Sequence, residues 1–384
     1  MPDHKTKFHL KTNFLRSLNP AERKEGLYCI RGGYKLLDLS RNDYLNLNKH
    51  PDLIESAKQV LTLQGMGSSG SRLLSGDDRL FHQLEGQLAD FFNCEASLLF
   101  NSGYQCNVSV ISALYGKNDI VFADKHIHAS LIDGCRLAGV TLKRFSHNNT
   151  KHLSNLLVKY RHLYDKSLIL SESLFSMDGD CSDIECLIML KKKFNCELFI
   201  DDAHAFAVMG EHAKGLAFEK ANDIDFIAAT FGKALASSGA FLICSKYIKD
   251  QLISSARGFM YSTALPLPVI AWNTHALNLI STLNDQKKQL LALALWLREQ
   301  CSDIGFSKLG NSYIIPLIFK TPSACKQAAL SISKAAYHAP IILPPTVAAN
   351  SCRIRLSLSA AMTKTDLLPL INCLKSLKNL IYEI

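Results

Sequence analysis

Short apolar runs alternate with longer amphipathic stretches through the middle of the chain. Ser97–Phe100, Asp119–Phe122, Ser167–Leu170, Leu198–Ile200, Asp225–Thr230 and Ala240–Cys244 are apolar on both faces and read as buried strands. Between most of them the hydrophobic period lengthens to that of a helix, as in Asn107–Leu114, His152–Tyr160 and Cys186–Phe194. Strand and helix in turn predict an α/β fold with a mostly parallel central sheet and flanking helices. The gap between Thr230 and Ala240 is too short for a crossover helix, so that pair is not expected to form a parallel βαβ unit. After Pro266 and Pro268 one long helical stretch is expected over Val269–Cys301, followed by a smaller α+β segment to Ile384. The resulting division is an N-terminal arm with a small hairpin around Gly32-Gly33 (1–50), a large domain (51–275) and a C-terminal α+β domain (276–384).

Composition removes several alternatives. Of 384 residues, 48% are hydrophobic and 20% charged, which excludes a disordered or collagen-like chain. The formal charge of +9 suggests nucleic acid until it is located. Residues 1–50 carry 10 basic and 5 acidic side chains, residues 281–384 carry 12 and 5, and the middle is slightly acidic. With no basic stripe interleaved with aromatics, neither nucleic acid nor a membrane is an expected partner. The 12 cysteines are dispersed without CxxC or zinc spacing, so reduced thiols are expected and no metal. No apolar leader or span of about 20 residues is seen, and the expectation is a soluble, cytoplasmic protein.

Gly65-Met66-Gly67-Ser68-Ser69-Gly70 satisfies the GxGxxG pattern, but it follows the helical stretch Asp52–Leu63 and leads into more loop. A dinucleotide fingerprint needs a strand before it and a helix after it, so the pattern is set aside. Polar groups at successive strand ends carry more weight. Asn101-Ser102-Gly103-Tyr104 opens a helix, where exposed amides suit a phosphate. Phe175-Ser176-Met177-Asp178-Gly179-Asp180, Asp201-Asp202-Ala203-His204 and Phe231-Gly232-Lys233 follow the next strands. Ligands of open α/β sheets bind outside the carboxyl ends of strands, so these groups should converge. A phosphate cradle, a carboxylate, a histidine and one lysine are the parts that hold pyridoxal 5'-phosphate. Taken singly, each has a plainer explanation: a lysine in a loop usually faces solvent, and His126, His128 and Asp124 together mimic a metal cluster.

With Asn42-Asp43-Tyr44-Leu45, Gly70-Ser71-Arg72, Ser75-Gly76, His128-Ala129-Ser130, Tyr261-Ser262-Thr263, Pro344-Pro345-Thr346-Val347 and Arg353-Ile354-Arg355, these motifs run in order along almost the whole chain. The set resembles the α-oxoamine synthases, which are fold-type I pyridoxal-phosphate transferases. The resemblance implies that Lys233 carries the cofactor and moves the substrate Cα proton. It implies that Asp201 pairs with the pyridine nitrogen, that His128 stacks on the ring, and that His204 and Ser176 bond the ring hydroxyl. The amides of Ser102, Gly103 and Tyr104 with the Thr230 hydroxyl would bind the phosphate. Ser262 and Thr263 would reach the site of a neighbouring subunit, which implies a homodimer with shared sites. Arg355 would grip the amino-acid carboxylate, with Asn42 as a further substrate contact.

The implied reaction is a decarboxylative acyl transfer between L-alanine and a pimeloyl thioester, on coenzyme A or a carrier protein, in the branch of the family serving biotin synthesis. The alternatives are glycine or serine with another acyl-CoA, and a non-catalytic partner subunit. Arg353 is expected to face solvent if Arg355 faces the site, and Asp202 to be a capping group. Several positions depart from the family pattern. Ala205, Ala207, Ala236 and Asn46 stand where glycine is usual, so the alanine turns are right-handed or strained. Leu343 replaces a frequent arginine, Met362 a frequent histidine, and Ala348-Ala349-Asn350 a Pro-x-Gly.

Overall fold

The computed structural model describes residues 18–344, 346–347 and 351–381. The expected arm before residue 18, Pro345 and Ala348-Ala349-Asn350 lie outside the described residues. The chain opens with β1 (Arg23–Glu25), β2 (Tyr28–Arg31) and β3 (Tyr34–Asp38). Gly32 and Gly33, both at positive φ (56° and 76°), turn β2 into antiparallel β3. Helices α1 (Pro51–Gln64) and α2 (Arg79–Phe92) follow, then β4 (Ala96–Phe100), α3 (Gly103–Leu114), β5 (Ile120–Asp124), α4 (Ala129–Ala138), β6 (Thr141–Phe145) and α5 (Thr150–Tyr160). The middle continues with β7 (Ser167–Glu172), α6 (Ile184–Phe194), β8 (Glu197–Asp201), β9 (Phe226–Thr230) and β10 (Ala240–Cys244). Helices α7 (Lys246–Ser255), α8 (Arg257–Met260), α9 (Leu267–Leu279) and α10 (Asn284–Ile304) lead to β11 (Ile314–Ile318), α11 (Pro322–Lys334), β12 (Tyr337–His338), β13 (Ile341–Ile342), β14 (Arg353–Ser357) and α12 (Lys364–Lys375).

Seven strands form the central sheet in the order β4-β10-β9-β8-β7-β5-β6. All pairs are parallel except those of β10, which runs antiparallel to β4 and β9 as the short Thr230–Ala240 link requires. Alternate side chains feed two cores. Phe122, Ile169, Ile200 and Ile227 face one, with α2, α6 and α9, while Val121, Leu170, Phe199 and Phe226 face the other, with α3 and α4. Each fully buried side chain of this size contributes about 1.5–3 kcal/mol. Strand β6 escapes the pattern of apolar runs because it is an edge strand, half-buried over Thr141–Lys143.

The expected single helix over Val269–Cys301 is two helices. A 3-10 turn at Ile280–Thr282 and non-helical Leu283 separate α9 from α10, and the Lys287 ammonium reaches back to the Ile280 carbonyl (2.6 Å). At the C-terminal end, β11, β14 and β13 form an antiparallel sheet, while β12 joins β3 in parallel.

Candidate active site

The carboxyl ends of β4, β5, β7, β8 and β9 open on one side of the sheet. Each expected group stands there because a strand has just ended and the backbone turns. At β4, Ser102 caps α3 by accepting from the Gln105 amide (3.1 Å), which points the next amides outward. Among the described residues no acceptor meets the Gly103 and Tyr104 amides. A Cβ built on Gly103 would touch only the Thr230 Cβ, at 3.9 Å, so Ser102, Gly103 and Thr230 border one open notch with the helix dipole behind it. Thr230 turns its hydroxyl to the Gly239 carbonyl (2.8 Å) and accepts from the Gly232 amide (3.1 Å). Tyr104 presents its amide there, but its exposed phenol donates to Asp133 (2.6 Å).

Asp201, the last residue of β8, accepts from the Ala203 amide (3.0 Å) and the Asn107 side chain (2.8 Å). Lys233 follows β9 in a tight turn whose Ala236 sits at φ 52°. Burial pulls the Lys233 ammonium down to about 8, against the attraction of Asp201 and Glu172. Glu172 ends β7 in register with Asp201, a placement beside the candidate site that the strand pattern passes over. Burial and then Asp201 push its carboxyl well above the usual range, and its Oε1 has no partner among the described residues. The signal in the sequence is an acidic residue closing an otherwise apolar strand.

His128 precedes α4, and desolvation holds its imidazole below the ordinary value against the pull of Asp201. His204 is buried; burial first, then Lys233 and Arg355, hold it well below the ordinary value. Its Nδ1 lies 2.8 Å from the Tyr44 hydroxyl, which is also 3.2 Å from Asn42 Oδ1. Arg355 on β14 donates to Asn42 Oδ1 and to the Tyr44 hydroxyl, both at 3.3 Å, and its buried Nε has no partner among the described residues. Tyr44 is the second residue for which sequence reasoning named no role, although its motif was visible. Ser176 lies in the loop after β7, half-buried.

Ser262 and Thr263, expected at a neighbouring subunit's site, are tied in this chain to residues at the start of α3: Gln105 donates to the Ser262 hydroxyl (2.8 Å) and Asn101 to the Thr263 carbonyl (2.6 Å). Arg353 is not in solvent. Residues two apart on a strand share a face, so Arg353 lies on the same face of β14 as Arg355; the 175–180 loop covers it there, and its guanidinium is buried in an ion pair with Asp178. Asp202 points away from the cleft and receives the Leu216 amide (3.2 Å). Ala207 and Ala236 adopt positive φ (67° and 52°), the strained alternative, as does Asn46 (58°); Ala205 does not. Met362 is buried in the core, and Leu343, half-buried, packs against it. The sequence cluster of Asp124, His126 and His128 is replaced in space by His126, His147 and Asp178, with His147 hydrogen-bonded to Asp124 (2.9 Å) and Asp180 (2.8 Å).

An anion notch, a carboxylate, a buried amine and a free guanidinium edge thus share one cleft. The Aminotransferase class I and II family matches residues 34–374. The chain belongs to this family. It is therefore a pyridoxal-phosphate-dependent enzyme of transferase type, as the motif series implied. Among curated relatives, 8-amino-7-oxononanoate synthase of Chlorobaculum parvum is 36% identical over 95% of each chain. A solved 8-amino-7-oxononanoate synthase from Francisella tularensis superposes with TM-score 0.78 at 26% identity, covering 89% of this chain and 97% of that one. Serine palmitoyltransferase of S. paucimobilis, solved with bound PLP, gives TM-score 0.88 at 23% identity, covering 93% and 91%, and bears on the fold alone. The expected fold-type I α/β architecture is met. Among the described residues no helix is long and apolar enough to cross a membrane.

Proposed function

We propose that the protein joins L-alanine to a pimeloyl thioester with loss of carbon dioxide, giving 8-amino-7-oxononanoate and the free thiol carrier. The names of the curated relatives support this choice, and the observation that carries the site reading is the Lys233 amine held beside Asp201 and Glu172 without a hydrogen bond or ion pair among the described residues. The residues fit pyridoxal phosphate: the Gly103 and Tyr104 amides lack acceptors as an anion site would, and Glu172 Oε1 and Arg355 Nε are buried with open valences. When bound, that cofactor supplies an electron sink for negative charge developing at the amino-acid Cα.

Ser102, Gly103, Tyr104 and Thr230 would hold the phosphate. Asp201 would pair with the ring nitrogen and favour its protonated form, His128 would stack on the ring, and His204 with Ser176 would hold the ring hydroxyl. Lys233 would hold the cofactor covalently and would take and return the substrate Cα proton; burial suits it for this by bringing its pKa toward neutrality. Arg355, with Asn42, pairs with the substrate carboxylate, where a planar guanidinium offers two parallel donors. Ser262 and Thr263 serve a homodimer with shared sites. The division at 1–50, 51–275 and 276–384 belongs to the same proposal.

The test is carbon dioxide release by the holoenzyme with alanine, glycine or serine against pimeloyl-, acetyl-, succinyl- and palmitoyl-CoA. Release with alanine and the pimeloyl donor is expected. Release with glycine or serine, but not alanine, would overturn the substrate assignment.

A further inference from the structure

Asn107 lies on α3 and Ser130 on α4, and both are buried between the two groups expected at the cofactor ring, Asp201 and His128. The carboxylate of Asp201 only accepts, so the amide atom of Asn107 that faces it, 2.8 Å away, is nitrogen. The second hydrogen of that nitrogen reaches the Ser130 hydroxyl oxygen at 2.9 Å. With its oxygen accepting from Asn107, Ser130 directs its own proton to its other neighbour, His128 Nδ1, at 2.7 Å. The Ser130 main-chain amide points to the same Nδ1 at 3.3 Å. A nitrogen that meets two donors carries no proton. The arrangement leaves Asn107 Oδ1 buried without a partner among the described residues, so the amide is committed to donation on both sides at the expense of its own acceptor.

We propose that Asn107 and Ser130 are positioning residues that form one hydrogen-bonded relay, aiming the Asp201 carboxylate and holding His128 as the neutral Nε2–H tautomer. The relay stands on this chain's own bonds; its service to the condensation rests on the function proposed above. The groups acting on His128 pull in both directions: desolvation, the largest effect, and Lys233 after β9 disfavour a second proton, while Asp201 on β8 and Asp133 on α4 attract one, and the net direction is toward the neutral ring. Removing the Ser130 hydroxyl leaves only the weaker main-chain donor, and removing the Asn107 amide frees that hydroxyl to turn.

The test is a two-bond proton–nitrogen correlation spectrum of apoprotein labelled with 15N-histidine, with His128→Gln assigning the signal. At pH 7 the wild type should show the Nε2–H pattern. Ser130→Ala and Asn107→Ala should each give a tautomer mixture, and Ser130→Thr should restore the single form. Pyridoxal phosphate should bind Asn107→Ala about 10- to 100-fold more weakly, the size of one lost hydrogen bond to a charged group. An Nδ1–H or doubly protonated ring in the wild type, or spectra unmoved by both alanine variants, would overturn the relay. If Asn107→Ala does not fold, the Ser130 pair decides alone. A correct spectrum with no carbon dioxide from alanine would remove the proposed reaction and leave the relay standing.

Discussion

Two clusters of ionisable side chains lie at the carboxyl ends of the same sheet, and they are built on opposite terms. Around Lys233, Asp201, Glu172 and Arg355 the charges attract but valences stay open: the Lys233 amine, Glu172 Oε1 and Arg355 Nε all lack partners among the described residues. Around His147 nearly every group is paired. Its ring bridges Asp124 and Asp180, stacks on His126 (4.1 Å between centroids), and Asp178 is shared by His126 (3.3 Å) and Arg353. Unmade bonds to buried polar groups are costly, so a chain that leaves several in one cleft has left them for a ligand. A cluster that satisfies itself holds loops in place.

The sharpest break in the comparison is at Lys233. Lys233→Ala should lower turnover about 10³-fold or more while leaving the melting temperature near that of the apoprotein. Arg353→Met inverts that pattern. It strands Asp178 in a buried position, and loss of about 3 kcal/mol in a denaturant titration is expected, with covalent trapping of the cofactor at Lys233 retained.

Arg355→Lys keeps the charge and loses the planar fork, so KM for the amino acid should rise about tenfold with a smaller change in kcat.

The two clusters should also separate on a pH axis. Burial opposes a charge on His147, but hydrogen bonds to Asp124 and Asp180 raise it to about 10, above its ordinary value. Its stabilising contribution is therefore complete below the ordinary histidine value and is lost as pH rises through about 10; His147→Gln should flatten stability across that window. In the open cluster, attachment of pyridoxal phosphate to apoprotein should accelerate as pH passes about 8, where Lys233 becomes a free amine. Glu172→Gln should move that midpoint lower, because Glu172 attracts the lysine's proton. The smallest effect lies in the backbone: Ala207→Gly and Ala236→Gly should each add about 1 kcal/mol of stability by relieving positive φ.

What the sequence exposed followed from local rules. Apolar runs buried on both faces marked β4, β5, β7, β8, β9 and β10, and the short link before Ala240 fixed an antiparallel turn. The GxGxxG decoy was dismissed by its context, and it does follow α1 as a loop. What stayed hidden depends on neighbours distant in the chain. The expectation of Arg353 in solvent fails because residues two apart on a strand share a face with each other, and the loop that covers this one lies 175 residues earlier in the chain. The break at Ile280–Leu283 contains no glycine or proline to announce it. Asn107 sits inside a helix with no motif around it, and Glu172 gains its role from Asp201 on the adjacent strand.

Borohydride reduction of the holoenzyme followed by peptide mapping reads the central pairing most directly. A single reduced pyridoxyl group on the peptide containing Lys233, absent when the protein is pretreated to remove the cofactor, is the expected result. A label on another lysine, or none on a protein that visibly binds the cofactor, would contradict the account.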